Sequence, residues 1–176
     1  MKRLVRNLSG IGAVAALLVG TAAVQFAQTA NRMMSDNSFV TKAAQGGMAE
    51  VQLGKLAQSH AASDKVKTFG QRMVDDHTKA NDELSKIAGQ KGVTLPTSLN
   101  AKDQATMDRL SKLNGAAFDR AYMQDMVKDH REDIAEFKKE ANSGQDPDFK
   151  AFASKTLPTL QEHLSMAEQT NSALGK

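Results

Sequence analysis

The stretch "KGVTLPTSLNAKDQATMDRLSKLN" (residues 91–114) lies between two pairs of long helical segments, and its length decides how those pairs are arranged. It reads as an extended part through "VTLPTSL" followed by a short helix over residues 100–114, with Asn100 as N-cap. Elsewhere the connections are almost nil. A helix over residues 38–60 gives way at once to a second, which starts at Ser63 and runs to Gly89 or Gly92. A third over residues 115–142 stops at "NSG", and a fourth opens on "DPD", with Asp146 capping and Pro147 in the first helical position. Such tight joints make each pair an antiparallel hairpin. The short helix in the connector supplies roughly 20 Å of travel at 1.5 Å per residue. Its extended part adds about 30 Å, enough to return along a helix of about 40 Å.

The expected fold is therefore all-α: a ferritin-like antiparallel four-helix bundle with a long helix 2–helix 3 crossover carrying a short extra helix. An up-down-up-down bundle is the alternative topology. Gly46, Gly47, Gly54 and Gly70 would let the first two helices approach closely, at a cost in helix propensity. Pro158, inside the fourth helix, predicts a kink.

Residues 1–30 read as a secretory signal peptide. "MKRLVR" is the basic start and "IGAVAALLVGTAAV" the apolar run, too short for a membrane span. Cleavage after Ala23, Ala27 or Ala30 fits, residues 31–37 form a linker, and residues 38–176 form the bundle. Removing the signal takes away Lys2, Arg3 and Arg6, so the 23 basic residues fall to about 20 against 20 acidic ones. The mature chain is then formally neutral, which argues against a nucleic-acid partner. The absence of cysteine excludes disulfides and a lipoprotein anchor, so helix packing must carry the stability. These features predict a periplasmic or secreted protein with no stable membrane span after cleavage.

Helical seams identify the candidate site. The first helix reads Phe39, Ala43, Gly46, Glu50, Leu53, Ala57, and the second Val66, Phe69, Met73, His77, Ala80, Leu84, Ile87. The third reads Phe118, Tyr122, Met126, His130, Ile134, Phe137, and the fourth Phe149, Phe152, Thr156, Leu160, His163, Ala167. Each apolar seam is interrupted once by a metal-capable side chain: Glu50, His77, His130 or His163. "MVDDH" (73–77) and "MVKDH" (126–130) sit at matching depths, ~22 Å along helices that run parallel in this topology, with Glu50 and His163 near ~17 Å. Four inward groups within about one turn can hold one ion, and three imidazoles with a carboxylate suit zinc, iron or copper. Met73, Met126 and Met166 add thioethers that favour Cu(I). A metal-free core of hydrogen-bonded Glu and His satisfies the same residues, and methionine is also a routine core filler. His60 reads as a surface or capping residue.

Phe39, "AEVQLGKLA", "MVDDH", "LP" (95–96), "FDRAYMQDMVKDH" and "LPTLQEHL" together resemble a bacterial family of exported ferritin-like proteins. Its members are described as domains of unknown function, often as membrane or outer-membrane proteins. The resemblance covers residues 38–170 and implies a helical bundle outside the cytoplasm, with association at the outer membrane as one location. It implies no reaction. Di-iron ferritin-like sites use Glu-x-x-His, whereas Val74, Val127 and Leu160 stand three residues before the histidines, which disfavours di-iron oxidase, ferroxidase and catalase chemistry. Asp76, Asp129 and Glu162 immediately precede the histidines and read as solvated or second-layer groups. Three functional classes follow: a metal-handling or envelope-stress protein with a core ion, a non-enzymatic structural or interaction domain of the envelope, or a redox or hydrolytic metalloenzyme, which would need an open coordination position with access to solvent. An envelope protein partner or a homo-oligomer is compatible with each.

Overall fold

The computed structural model describes the backbone of residues 15–175 and the side chains of residues 36–175. Part of the signal-peptide reading, residues 1–14, lies outside the described residues. Five helices make up the described chain, which contains no strand: α1 (Ala15–His60), α2 (Asp64–Gln90), α3 (Ala101–Leu110), α4 (Gly115–Ser143) and α5 (Pro147–Leu174). The caps follow local chemistry. The Asn100 side chain accepts from the Asp103 N–H at 2.9 Å, and Asp146 accepts from Asp148 and Phe149 ahead of Pro147. Gly92 takes the left-handed conformation (φ +67°) just beyond α2, where a side chain would be strained. α5 continues through Pro158.

One boundary differs from expectation. Residues 31–37, expected as a linker, are helical and continuous with the rest of α1. No glycine or proline interrupts residues 21–45, so nothing in that run stops a helix. Asp36 is drawn inside rather than solvated, because its carboxylate accepts the backbone N–H groups of Gln145 (3.1 Å) and Asp146 (2.8 Å) in the α4–α5 turn. At the other end Asp119 of α4 does the same for the α1–α2 turn, accepting from Ala62 (3.1 Å) and Ser63 (2.9 Å). Ser63 is the N-cap residue of α2 but makes no side-chain cap bond, so Asp119 performs the capping from across the bundle.

The packing is that of two hairpins, α1 with α2 and α4 with α5, set side by side so that α1 adjoins α4 and α2 adjoins α5. Pairing along the lengths fixes the directions. Lys42 meets Glu136 and Glu50 meets His130, so α1 and α4 are antiparallel. Arg72 meets Glu162 and Lys155 meets Glu83, so α2 and α5 are antiparallel too. Hence α2 and α4 run parallel on opposite corners. The crossover lays α3 along the α1/α4 side, held by Lys102 to Glu132 (2.6 Å), by Arg109 to Asp125, and by Leu110, which is fully buried. α3 ends at Leu110 rather than at Asn114; the remaining residues turn, and the Leu113 carbonyl accepts a 2.7 Å hydrogen bond from the His60 ring.

Where α1 meets α2, small residues set the distance. A Cβ on Gly54 would lie 2.5 Å from the Gly70 carbonyl oxygen, and one on Gly70 would lie 2.7 Å from the Ala57 Cβ. The core itself comes in two apolar halves. One contains Leu53, Val66, Phe69, Met73, Phe118, Tyr122 and Met126, and the other Phe39, Leu84, Ile134, Phe137, Phe149, Phe152 and Leu160. Each such side chain contributes about 1.5–3 kcal/mol on burial. Between the halves lies a layer that apolar packing alone does not explain.

Candidate metal centre

That layer consists of Glu50, His77, His130 and His163, exposed by 0%, 6%, 0% and 1% respectively. Each helix delivers its member because an apolar seam carries it inward: Met73 and Leu84 flank His77, Met126 and Ile134 flank His130, and Leu160 and Ala167 flank His163. The three imidazoles form a nearly regular triangle, with ring centroids 5.9, 5.4 and 5.4 Å apart. Each offers one nitrogen to a set in which all three atoms lie within 4.8 Å of one another. A point central to such a set is at most about 2.8 Å from each nitrogen, ~0.7 Å beyond a Zn–N bond. Three buried histidines so placed could hold a metal ion.

The outer hydrogen bonds settle which nitrogen His130 and His163 turn inward. His130 Nδ1 lies 3.0 Å from the Met126 carbonyl oxygen, which can only accept, so Nδ1 carries the proton. His163 Nε2 lies 3.0 Å from the Asp76 carboxylate and donates to it. Neutral rings in those tautomers leave lone pairs on His130 Nε2 and His163 Nδ1, and these two atoms face each other at 3.4 Å. Two acceptors cannot hydrogen-bond to each other. His77 Nε2 is buried as well and has no partner. Burial, joined by the neighbouring rings, opposes protonation. It pushes His130 down to about 3, and it holds His77 well below the ordinary histidine value. His163 is also lowered by burial, against the pull of Asp76.

Glu50 does not join the triangle. Its carboxylate lies 3.6 Å from His130 Nδ1, the nitrogen turned away from His163, and it is not among the groups whose ligand atoms converge. The expected set of four is thus a set of three with a carboxyl group behind one member. Both Glu50 oxygens are buried without a partner, and burial, with Asp129 and Asp133 close by, raises its pKa well above the carboxylate range and favours the protonated form. Asp76, expected as a solvated or second-layer group, is the partner that orients His163, and it also receives Arg72. Burial works against its charge, yet Arg72 and His163 hold its pKa below the usual value. A carboxylate on the far nitrogen of an imidazole is the arrangement that fixes metal-binding histidines.

The remaining candidates have other roles. Met73 and Met126 are buried in the apolar half beside Phe69 and Tyr122, and Met166 packs against the same half. His60 closes the α1 terminus through Leu113 and packs against Phe118, as a capping residue would. Tyr122, read as an apolar seam position, buries a hydroxyl with no hydrogen-bond partner.

The comparisons bear on the family and the fold. The model for "Domain of unknown function (DUF4142)" matches residues 21–170. The chain belongs to the DUF4142 family. Among curated proteins none matches. Two crystal structures of DUF305 proteins share the fold of this DUF4142 chain. One is a DUF305 fragment from Deinococcus radiodurans, with TM-score 0.69 and 14% identity, covering 80% of this chain and 95% of that one. The other is a DUF305 protein from Streptomyces coelicolor, named as a secreted protein, with TM-score 0.69 and 12% identity, covering 80% and 92%. At these identities the likeness is one of helical architecture. Among the described residues no helix is long and apolar enough to cross a membrane, and nothing points to nucleic-acid binding.

Proposed function

We propose that this DUF4142 chain is an exported, ferritin-like bundle that binds one transition-metal ion on His77, His130 and His163 and serves in metal handling or in protection of the cell envelope. The observation that carries the reading is the 3.4 Å approach of two proton-free nitrogens, His130 Nε2 and His163 Nδ1, beside the unpartnered His77 Nε2. A cation relieves that opposition, whereas protonating a ring works against its burial. The separation also suits the ion: two nitrogens bound tetrahedrally at 2.0–2.1 Å stand ~3.3 Å apart. Zinc, iron and copper all accept imidazole. Export is supported by the basic and apolar order of residues 1–24, and a DUF305 neighbour is named as a secreted protein.

Metal analysis of untagged protein purified from the periplasm tests this. We expect stoichiometric metal in the wild type and none in the His77→Ala, His130→Ala double variant. If the wild type carries no metal, and zinc, copper and iron leave its melting temperature unchanged, a second reading takes over. In that reading the layer is a metal-free polar core of a structural envelope domain. The satisfied outer bonds, His130 to Met126 and His163 to Asp76, favour it.

A further inference from the structure

The bundle has two long grooves, and they are not alike. The α1/α4 groove carries α3 over it, anchored by Lys102 to Glu132 and by the buried Leu110. Over the α2/α5 groove no element lies among the described residues. A cleft of about 240 Å³ opens there, lined by Asp76, His77, Ala80, Thr156, Thr159 and His163 among others. Two of the three site histidines therefore line it, and His77 is the more exposed of them, at 6% against 1% for His163. At ~30 Å³ per water, the space holds several solvent molecules or one ligand of a few heavy atoms.

The protein offers three nitrogens to the ion, and a tetrahedral ion takes four ligands. Glu50 does not supply the fourth, because it meets His130 at Nδ1, the nitrogen turned away from His163, and stands outside the converging set. Asp76 is engaged by His163 Nε2 and by Arg72. The cleft mouth has no net charge to select by sign, since Lys155 is paired with Glu83 at 2.8 Å and Lys79 lies 3.7 Å from Asp76. What the cleft selects for is size, and the positive ion beneath it would supply the attraction.

Building on the metal reading above, we propose that the fourth coordination position opens into the α2/α5 cleft and takes an exogenous small donor, either water or hydroxide or a monodentate anion. This makes the centre an open one, like catalytic metal sites, rather than a closed structural site. Thr159, half-buried on α5, sits where a larger side chain would obstruct the approach without replacing a ligand.

The test uses the full chain loaded with Co(II), followed by visible absorption and titrated with sodium azide. In the wild type, azide is expected to shift the ligand-field bands and to saturate. Thr159→Trp should bind Co(II) within about threefold of wild type yet weaken the azide response by roughly tenfold or more, while Thr159→Ser should behave as wild type. A Co(II) spectrum that azide does not move, or a Thr159→Trp variant that responds like the wild type, overturns the open position and leaves the metal site standing. Failure of the wild type to bind Co(II) at all, visible before azide is added, removes the metal reading and this inference with it. Should Thr159→Trp not fold, judged by far-UV circular dichroism, the wild-type titration still decides.

Discussion

His130 and His163 turn proton-free ring nitrogens toward each other, 3.4 Å apart, while each donates its single N–H outward, to Met126 and to Asp76. A cation between the rings would relieve the two opposed lone pairs, whereas burial works against placing a proton there. Chemistry and stability are linked at this one contact.

Acid should therefore unfold the metal-free protein early. Burial depresses His130 to about 3 from its ordinary 6.5, so the unfolded chain takes up a proton that the folded chain refuses. Its contribution is fully present above pH 6.5 and lost as the pH falls from there toward 3, at up to about 1.4 kcal/mol per unit. His77 and His163 are lowered too and add to the slope. Between about pH 7.5 and 4.5 the urea midpoint of the metal-free wild type is expected to fall relative to that of the triple His→Gln variant, in which the raised carboxyls of Glu50 and Glu140 leave only the opposite trend, a gain toward acid. A wild-type profile that runs parallel to the variant's would contradict the buried, neutral triangle.

Glu140 should act on the opposite limb. It is buried in the α4–α5 corner with Oε1 unpartnered, and burial, with Asp36 and Asp146 nearby, raises its pKa to about 7. Its contribution is present below the unfolded value of 4.5 and lost as the pH rises through 7. Glu140→Gln should leave stability at pH 4.5 nearly unchanged and raise it at pH 8 by about 1–3 kcal/mol. Chemical denaturation at the two pH values checks the difference.

Helix spacing gives a paired prediction. Gly54→Ala places a Cβ 2.5 Å from the Gly70 carbonyl, forcing α1 and α2 apart, and should cost about 1–3 kcal/mol. Gly89→Ala meets nothing within 4 Å on the same hairpin, and should stabilise by roughly 0.5–1 kcal/mol through helix propensity. Equal effects in thermal melts would show that contact between the helices does not set this position.

The carboxylates at the two turns can be tested singly and together. Asp119→Ala strands the N–H groups of Ala62 and Ser63, and Asp36→Ala those of Gln145 and Asp146. Each loss should cost about 1–3 kcal/mol. Because they sit at opposite ends of the bundle, the double variant should show the sum within ~0.5 kcal/mol. Strong non-additivity would mean that the two ends communicate.

Much of this architecture was legible because helices advertise themselves by period. The seams through Met73 and His77, and through Met126 and His130, predicted inward faces, and the short joints against the long crossover predicted two hairpins with α2 and α4 parallel. The convergence of His77, His130 and His163 follows from the same count. What the count lacks is ring orientation. Glu50 lies at the right depth, yet which nitrogen of His130 it meets depends on the Met126 carbonyl, a bond that no seam encodes. Asp36 was hidden for a related reason. "SDNS" reads as a polar entry unless the turn 109 residues away, whose backbone it caps, is already in place. Tyr122 hides its hydroxyl behind a ring that fits an apolar seam.

The two carboxylate caps have a consequence for the history a chain can survive. Asp36 and Asp119 differ by 83 in number, as do Ser63 and Asp146, whose backbone N–H groups they receive. Each hairpin's corner is thus finished by an aspartate borrowed from the other hairpin. A protein cut within its crossover has halves that need each other to complete their bends, so the fragments should reassociate. The same reciprocity lets two molecules trade hairpins and form an exchanged dimer without inventing a single new bond.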